Sequence, residues 1–380
     1  RRSSDLCGPG PRRRNPRAGE PAALTSRRMD FTSAQATISD AAIHDPLLAH
    51  FLSAILFSHP GDAIKKSARA VYGKFARPGK NAAWTCRHAG CTRASIWSHE
   101  ISEGKITRCL ARDIEGRRYV DVLAPDLSGN PYRYAFKHVA TRSATTFLGY
   151  CQEHDNLLFR DLDNGLTRYD DTRLNAQYLR SLKKRAYETE RQIAIWQDIA
   201  VELRQLDEAS HAELAAASER VERNLAELRE SLARWQRVYE QVRAGLEASR
   251  PAVGSRCHRL AAPGYLFSGV VDLSQPGDTE PFVVFLLKAD FADESAFFVG
   301  ALDNAHADGI LDHHDLGAPE GRQKVAQYLL SMKSGFVFSP DFEAGLPEAA
   351  RAAFHRSPDF ERGSLAFDAV YCERFLFGAG

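Results

Sequence analysis

Four residues of the kinds that bind zinc occur in two short pairs. Cys86 and Cys91 are separated by four residues, and Cys151 and His154 are separated by two. Cysteine sulfur and histidine nitrogen are the ligands that tetrahedral zinc prefers, and four protein ligands leave no position open for water. The sequence therefore predicts one closed zinc site that stabilises the fold and does not activate a nucleophile.

Lysine and arginine are concentrated in the segment that leads to the first ligand pair. Residues 60–98 contain eight Lys or Arg and a single acid, whereas residues 251–380 contain eighteen acids and ten bases. Cations near aromatic rings suit the phosphate backbone of a nucleic acid, and a solvated charged surface is the alternative interpretation of the same residues. The predicted nucleic-acid-binding residues are Lys65, Lys66, Arg69, Lys74, Arg77 and Lys80.

Residues 84–159 contain a characteristic order of motifs. The knuckle WTCRHAGC is followed by SHEI at residues 98–101 and later by CQEHD at residues 151–155. This order resembles the HNH nuclease family, in which zinc often braces a treble-clef module. The resemblance implies that His99 is a general base and that Asp155 is a ligand of a second divalent ion such as Mg²⁺.

Two positions depart from that family's pattern. Ser98 stands where the family usually has Asp or His before the base, and Thr146 stands where it usually has Asn. A hydroxyl is a poor substitute for a carboxylate as a ligand of such an ion. Nucleic-acid binding through the basic zinc module is therefore the predicted function, with metal-dependent cleavage of nucleic acid and a structural or protein-interaction role as the alternatives. Whether the protein is an enzyme is left undecided, and a scaffold without catalysis is favoured.

The elements that must position the ligands can be predicted from residue patterns. The segments RRYVDVLAP and YRYAFKHV alternate around a turn at residues 128–131 and predict a β-hairpin between the two ligand pairs. The second ligand pair begins a helix, and residues 45–56 and 63–75 have the apolar spacing of two further helices. Together they predict a helical and treble-clef zinc module at residues 41–170.

Residues 171–250 have the composition and periodicity of long helices. Apolar residues repeat in steps of four and three from Val221 to Leu246, which is typical of a coiled-coil seam. A break near residues 207–211 predicts an antiparallel helical hairpin, whereas an unbroken helix would be a rod of about 110 Å at ~1.5 Å per residue. Association of two copies through the seam is a second predicted interaction.

Residues 251–380 are predicted to form an α+β domain with an acidic exterior. Apolar runs typical of buried strands begin at Tyr265, Phe282 and Ala296. Helices are predicted at about residues 321–333 and 346–354, and the Asp and His residues at 308–315 are interpreted as a polar loop. The whole layout is α+β and is similar to that of uncharacterised bacterial proteins that join a zinc module to a long helix.

The N-terminal tail and the cysteine count bear on location. Residues 1–40 are predicted to be disordered, because residues 1–28 hold eight Arg among Pro and Gly. This tail is interpreted as an organelle transit peptide, as sequence appended by a wrong start, or as an inert tail. An odd count of seven cysteines argues against a disulfide framework and favours the cytoplasm. The chain has no run of about 18 apolar residues, so no membrane span is predicted.

Overall fold

The computed structural model describes most of the chain beyond residue 83. The described residues are 84–125, 134–164, 168–204, 211–260, 264–275, 278, 280–291, 295–356 and 364–378. The predicted N-terminal tail and helices, the predicted nucleic-acid-binding residues and the predicted turn at 128–131 lie outside them. Helices and antiparallel sheets are both present, in agreement with the predicted α+β class.

Strands and helices follow one another in a mixed order along the described residues. The strands are β1 (Trp97–His99), β2 (Arg112–Ile114), β3 (Arg117–Pro125), β4 (Tyr134–Ala140), β5 (Thr146–Leu148), β6 (Val253–Leu260), β7 (Tyr265–Asp272), β8 (Val283–Asp290), β9 (Ser295–Leu302) and β10 (Phe336–Phe338). The helices are α1 (Glu103–Cys109), α2 (Gln152–Asp163), α3 (Asp171–Arg204), α4 (His211–Glu247), α5 (Ala307–His313), α6 (Pro319–Ser331), α7 (Glu348–His355) and α8 (Ser364–Phe377). None of these described helices combines the length and the apolar composition that crossing a bilayer requires.

An antiparallel sheet of eight strands lies at the centre of the described structure. Seven strands follow the order β2-β3-β10-β7-β8-β9-β6, and β4 pairs with β3. Asp121 of β3 pairs with His138 of β4 on one side and with Phe338 of β10 on the other. The sheet therefore combines strands from both sides of the boundary that the sequence predicted at residue 250.

Helices cover both faces of this sheet. In β8, Val284 and Leu286 face a core shared with α6, α7 and α8, whereas Phe285 and Leu287 face a core shared with α3 and α4. Burial on both faces explains why residues 283–287 of β8 and 296–302 of β9 are continuous apolar runs without polar alternation. Each fully buried large apolar side chain contributes roughly 1.5–3 kcal/mol to folding.

Helices α3 and α4 form an antiparallel pair. The ammonium of Lys183 lies 5.1 Å from the ring centroid of Tyr239, and the guanidinium of Arg185 lies 5.9 Å from that of Trp235. A later residue of α3 thus contacts an earlier residue of α4, which is the geometry of the predicted antiparallel hairpin. The seam residues buried within this single chain are Val221, Leu225, Leu228, Trp235, Tyr239 and Val242. Self-association through the seam would therefore have to displace packing that one chain already makes.

Candidate metal centre

The four predicted zinc ligands lie together in the structure. The ligand atoms of Cys86, Cys91, Cys151 and His154 are all within 4.8 Å of one another. The Nδ1 atom of His154 is 3.4 Å from the Sγ atoms of Cys86 and Cys151, and the Sγ atoms of Cys91 and Cys151 are 4.0 Å apart. A tetrahedral zinc ion holds such ligands about 3.5–3.8 Å from one another. The cluster therefore has the dimensions and donor atoms of a site that could hold a metal such as zinc.

A tight turn positions the first ligand pair. The backbone N–H of Cys86 donates to the carbonyl of Arg93 at 2.7 Å, and the N–H of Cys91 donates to the carbonyl of His88 at 3.0 Å. Gly90 lies inside this turn with φ at +73°, a left-handed conformation that glycine adopts without a steric penalty. The Cys-x4-Cys segment therefore folds back on itself, and both of its sulfur atoms reach the same cluster.

Helix α2 positions the second ligand pair. Cys151 is the N-cap residue of α2, and His154 lies in its first turn. Both side chains are thus at the positive end of the helix dipole. The N–H of Arg87 donates to the carbonyl of Gly149 at 3.0 Å, so the chain that enters α2 is tied directly to the knuckle.

The strands beside the cluster differ from those predicted. The predicted hairpin does form from β3 and β4, but it lies in the eight-stranded sheet. The strands that flank the cluster are β1 and β5, which pair antiparallel with Ser98 opposite Phe147. Each of these strands has three residues, a length too short to show the periodicity from which strands are predicted. The knuckle, this two-stranded pair and α2 hold the four ligands.

Charges around the cluster are largely compensated. Burial raises the pKa of the Cys86 thiol, whereas a backbone hydrogen bond from Arg93 lowers the pKa of Cys91. The guanidinium of Arg93 pairs with Glu153, and that of Arg87 pairs with Glu190 in α3. These two arginines belong to the basic segment of the sequence, but each has a carboxylate partner. They therefore anchor the knuckle and offer little free charge to another molecule.

The sequence pattern does not single out one residue that lies against the cluster. The ring of His88 stacks on the ring of His154, with centroids 3.8 Å apart and planes inclined by 8°. This contact supports the orientation in which the His154 imidazole faces the sulfur atoms. His88 lies inside the knuckle, at a spacing that marks no ligand, so only the folded structure indicates its position.

Of the two residues that the HNH resemblance implies as catalytic, Asp155 is buried and His99 is half-buried. The Nε2 atom of His99 and the Oδ1 atom of Asp155 are buried without a hydrogen-bond partner in the described structure. Burial lowers the pKa of His99. The neighbouring Glu100 is occupied as well, since its carboxylate accepts a hydrogen bond from Lys184 at 2.6 Å. Nε2 of His99 and Oδ1 of Asp155 are thus enclosed, whereas the rest of the His99 side chain is partly exposed.

The Asp and His residues at 308–315 do not form a second metal group. Among the described residues, the cluster of three cysteines and His154 is the only group of three or more such side chains arranged to hold a metal ion. Most of the segment forms α5 instead of the predicted loop, and the buried His314 ring bonds to the Ile310 carbonyl and the Tyr328 hydroxyl.

Comparisons with protein-family models, curated proteins and solved structures found no match to the chain.

Proposed function

We propose that the protein binds one structural zinc ion through Cys86, Cys91, Cys151 and His154. The observation that carries this proposal is the convergence of all four ligand atoms within 4.8 Å. Three thiolates and one imidazole complete a tetrahedral shell, so the ion has no open position and acts by joining the knuckle to α2. Binding free energies of about 10–16 kcal/mol for such sites would rival the folding free energy of the segment that the ion holds.

Elemental analysis of the purified full-length chain tests this proposal. We expect one zinc ion per chain, and we expect Cys91→Ser to lose it because three ligands remain at a site built for four. The matched control is Cys109→Ser, which removes an exposed thiol outside the cluster and should leave the zinc content unchanged. Stoichiometric zinc in Cys91→Ser, or none in the wild type, would contradict the assignment.

We further propose that the basic segment at residues 60–98, called the zinc-bearing end because it contains the first ligand pair, binds nucleic acid. Residues 60–98 supply the positive charge, and Trp97 at the end of this segment is 51% exposed, which is unusual for an indole. An exposed aromatic ring beside cations suits a stacked base and its phosphate. Since Arg87 and Arg93 already have carboxylate partners, the phosphate contacts are assigned to the basic residues between Lys65 and Lys80.

Fluorescence anisotropy with a labelled single-stranded oligonucleotide tests the nucleic-acid proposal. We expect affinity to fall steeply with salt, and simultaneous reversal of Lys65, Lys66 and Arg69 to Glu to lower the log–log salt slope by about two, since each contact to a single strand contributes about 0.7. The control reverses Arg223, Arg229 and Arg237, which are exposed on α4, and so changes the net charge equally. Equal losses in both variants would indicate general attraction and would reject a binding surface at the zinc-bearing end.

The alternative is an HNH-like nuclease that uses His99 and Asp155. Its support is that a buried Nε2 and a buried Oδ1 without partners are rare in native proteins and can mark the place of an ion. Incubating DNA and RNA with the protein and Mg²⁺ or Mn²⁺ distinguishes the two functions. We expect no cleavage, whereas divalent-ion-dependent cleavage that His99→Ala abolishes would establish the alternative. A protein that neither binds nor cleaves would leave the structural or protein-interaction role.

A further inference from the structure

One end of the large sheet carries a polar concavity outside the metal centre. The concavity has a volume of about 410 Å³ and is lined by Ile114, Glu115, Arg117, Tyr119 and His138. Side chains alternate along a strand, so Arg117, Tyr119 and Asp121 lie on one face of β3. His138 pairs directly with Asp121 in the neighbouring strand. The register of β3 and β4 thus places an acid, an imidazole, a phenol and a guanidinium side by side.

A buried carboxylate holds the imidazole of this group. The side chain of Asp121 is 3% exposed and contacts Nδ1 of His138, whose own side chain is 61% exposed. Because Nδ1 faces the carboxylate, the other nitrogen, Nε2, lies on the solvent side, where the concavity is. A mostly solvated imidazole contributes little to packing, so the main effect of the pair is to fix the direction of its outer nitrogen.

Two further hydrogen-bond donors border the same space. Arg117 is exposed and forms no ion pair with the residues that the structure describes, and Tyr119 lies half-buried two residues further along β3. Glu115 is the single acid that lines the concavity. A guanidinium, a phenol and an oriented imidazole together suit an anion with several acceptor oxygens.

We propose that this concavity binds a phosphate group through the guanidinium of Arg117 and the hydroxyl of Tyr119, with the His138 ring beside them; Nε2 of His138 donates to the phosphate when both ring nitrogens carry a proton. Phosphate matches the planar fork of arginine with two parallel hydrogen bonds and retains oxygens for the other two donors. The volume is larger than one phosphate needs, so a phosphate ester, either a small molecule or a nucleic-acid strand, also fits. This site is separate from the metal centre and does not depend on the nucleic-acid function proposed above.

Inorganic phosphate is the first probe, added to the full-length chain with ¹³C-labelled histidine rings and followed by NMR. We expect a saturable shift of the His138 ring signal, which is identified by its absence in His138→Gln. We expect Arg117→Gln to raise the Kd at least about tenfold, since a charge-assisted hydrogen bond is lost. Arg118→Gln is the matched control, because Arg118 is equally exposed but lies on the opposite face of β3.

Three results would overturn the proposal. They are the absence of a saturable shift, an unchanged Kd in Arg117→Gln, and equal weakening in Arg117→Gln and Arg118→Gln. The substituted arginines are exposed, and an unchanged urea midpoint will show that both variants are folded. Repeating the titration with a nucleoside monophosphate and with a short single-stranded oligonucleotide identifies the source of the phosphate. The true ligand should bind more tightly than inorganic phosphate, and Arg117→Gln should weaken both by about the same factor, because Arg117 contacts the group that they share.

Discussion

At the scale of single residues, a buried ion pair joins the metal-bearing segment to the rest of the protein. The carboxylate of Glu100, 2% exposed, accepts a hydrogen bond from Lys184 of α3, which also donates to the carbonyl of Ser334 at 3.0 Å. Burial acts to lower the pKa of Lys184, but the carboxylates of Glu100 and Glu188 outweigh it, and the pKa is raised. The charged ammonium therefore depends on its acidic neighbours.

Removing the charge of Glu100 should be strongly destabilising. In Glu100→Gln the ammonium of Lys184 stays buried without its main counterion, and we expect the free energy of unfolding to fall by about 3 kcal/mol or more. Urea denaturation measures the change. The control is Glu103→Gln, which removes an exposed carboxylate and should differ little from wild type in its free energy of unfolding. A similar small effect in both variants would mean that the pair is not required for stability.

His314 should make stability dependent on pH. Burial lowers its pKa to about 4, whereas an unfolded histidine has a pKa of about 6.5. The unfolded chain takes up the proton more readily, so the contribution of His314 is complete above about pH 6.5 and is lost as the pH falls toward 4. The loss should approach about 3 kcal/mol, measured by urea denaturation across this range.

The His314 effect can be isolated by comparison with a second histidine. In His314→Gln the free energy of unfolding should fall less between neutral and acidic pH than in wild type. His306→Gln removes an exposed histidine from the same region and should keep the wild-type dependence. Any acid-dependent loss of metal occurs in all three proteins and cancels in the comparison. Parallel pH curves for wild type and His314→Gln would contradict the assignment.

At the scale of elements, the sequence predicted where strands form better than which strands pair with one another. The apolar runs at Tyr265 and Phe282 are β7 and β8, because burial on both faces leaves a strong local pattern. The position of β10 between β3 and β7 was not predictable, since its three residues pair with segments far away in the chain. A hairpin centred on residues 128–131 does place Asp121 opposite His138, but only the packed sheet reveals that Asp121 is buried.

The candidate metal centre was predicted more fully than its surroundings. Ligand chemistry restricts residue type and spacing strongly, so Cys86, Cys91, Cys151 and His154 could be chosen from the sequence alone. The burial of Nε2 in His99 could not, because the groups near this ring include Asp163 of α2 and Arg180 of α3, which come from distant parts of the chain. The difference is physical: a ligand set is a property of a few residues, whereas exposure is a property of the whole fold.

The helical pair α3 and α4 should depend on the indole of Trp235. This side chain is fully buried in the core between the helices and the sheet, so Trp235→Ala leaves a large cavity there. We expect the free energy of unfolding to fall by about 3–5 kcal/mol in urea denaturation. Arg237→Ala, two residues away on the exposed face of α4, should change it by less than about 0.5 kcal/mol. Equal stability of the two variants would exclude the packing described for this pair.

At the scale of the whole molecule, the two cores differ in their relation to the metal centre. Cys86, Cys151 and Phe159 belong to the core between the sheet and the helical pair. The core on the other face of the sheet, among the described residues, contains no residue of the knuckle or of α2. Removal of the metal should therefore weaken packing on one face of the sheet. We expect this even though β3, which lies between the two ligand pairs in the sequence, is a strand of that sheet.

Hydrogen exchange after metal removal tests this asymmetry. With a strong chelator we expect faster exchange in β1, β5 and the first turn of α2, because three-residue strands and a helix start have few other interactions to hold them. The amides of β8 and β9 should keep their protection, since both strands are paired on each side within the sheet.

The control for this exchange experiment is the same chelator applied to Cys151→Ser. That variant lacks a ligand, so its exchange should already be fast in β1 and α2 and should not change further on chelation. Protection lost equally from β8 in the wild type would mean that the ion supports the whole molecule as one cooperative unit. Protection unchanged in β1 would mean instead that the knuckle and α2 hold together through Arg87, Arg93 and the buried core without an ion.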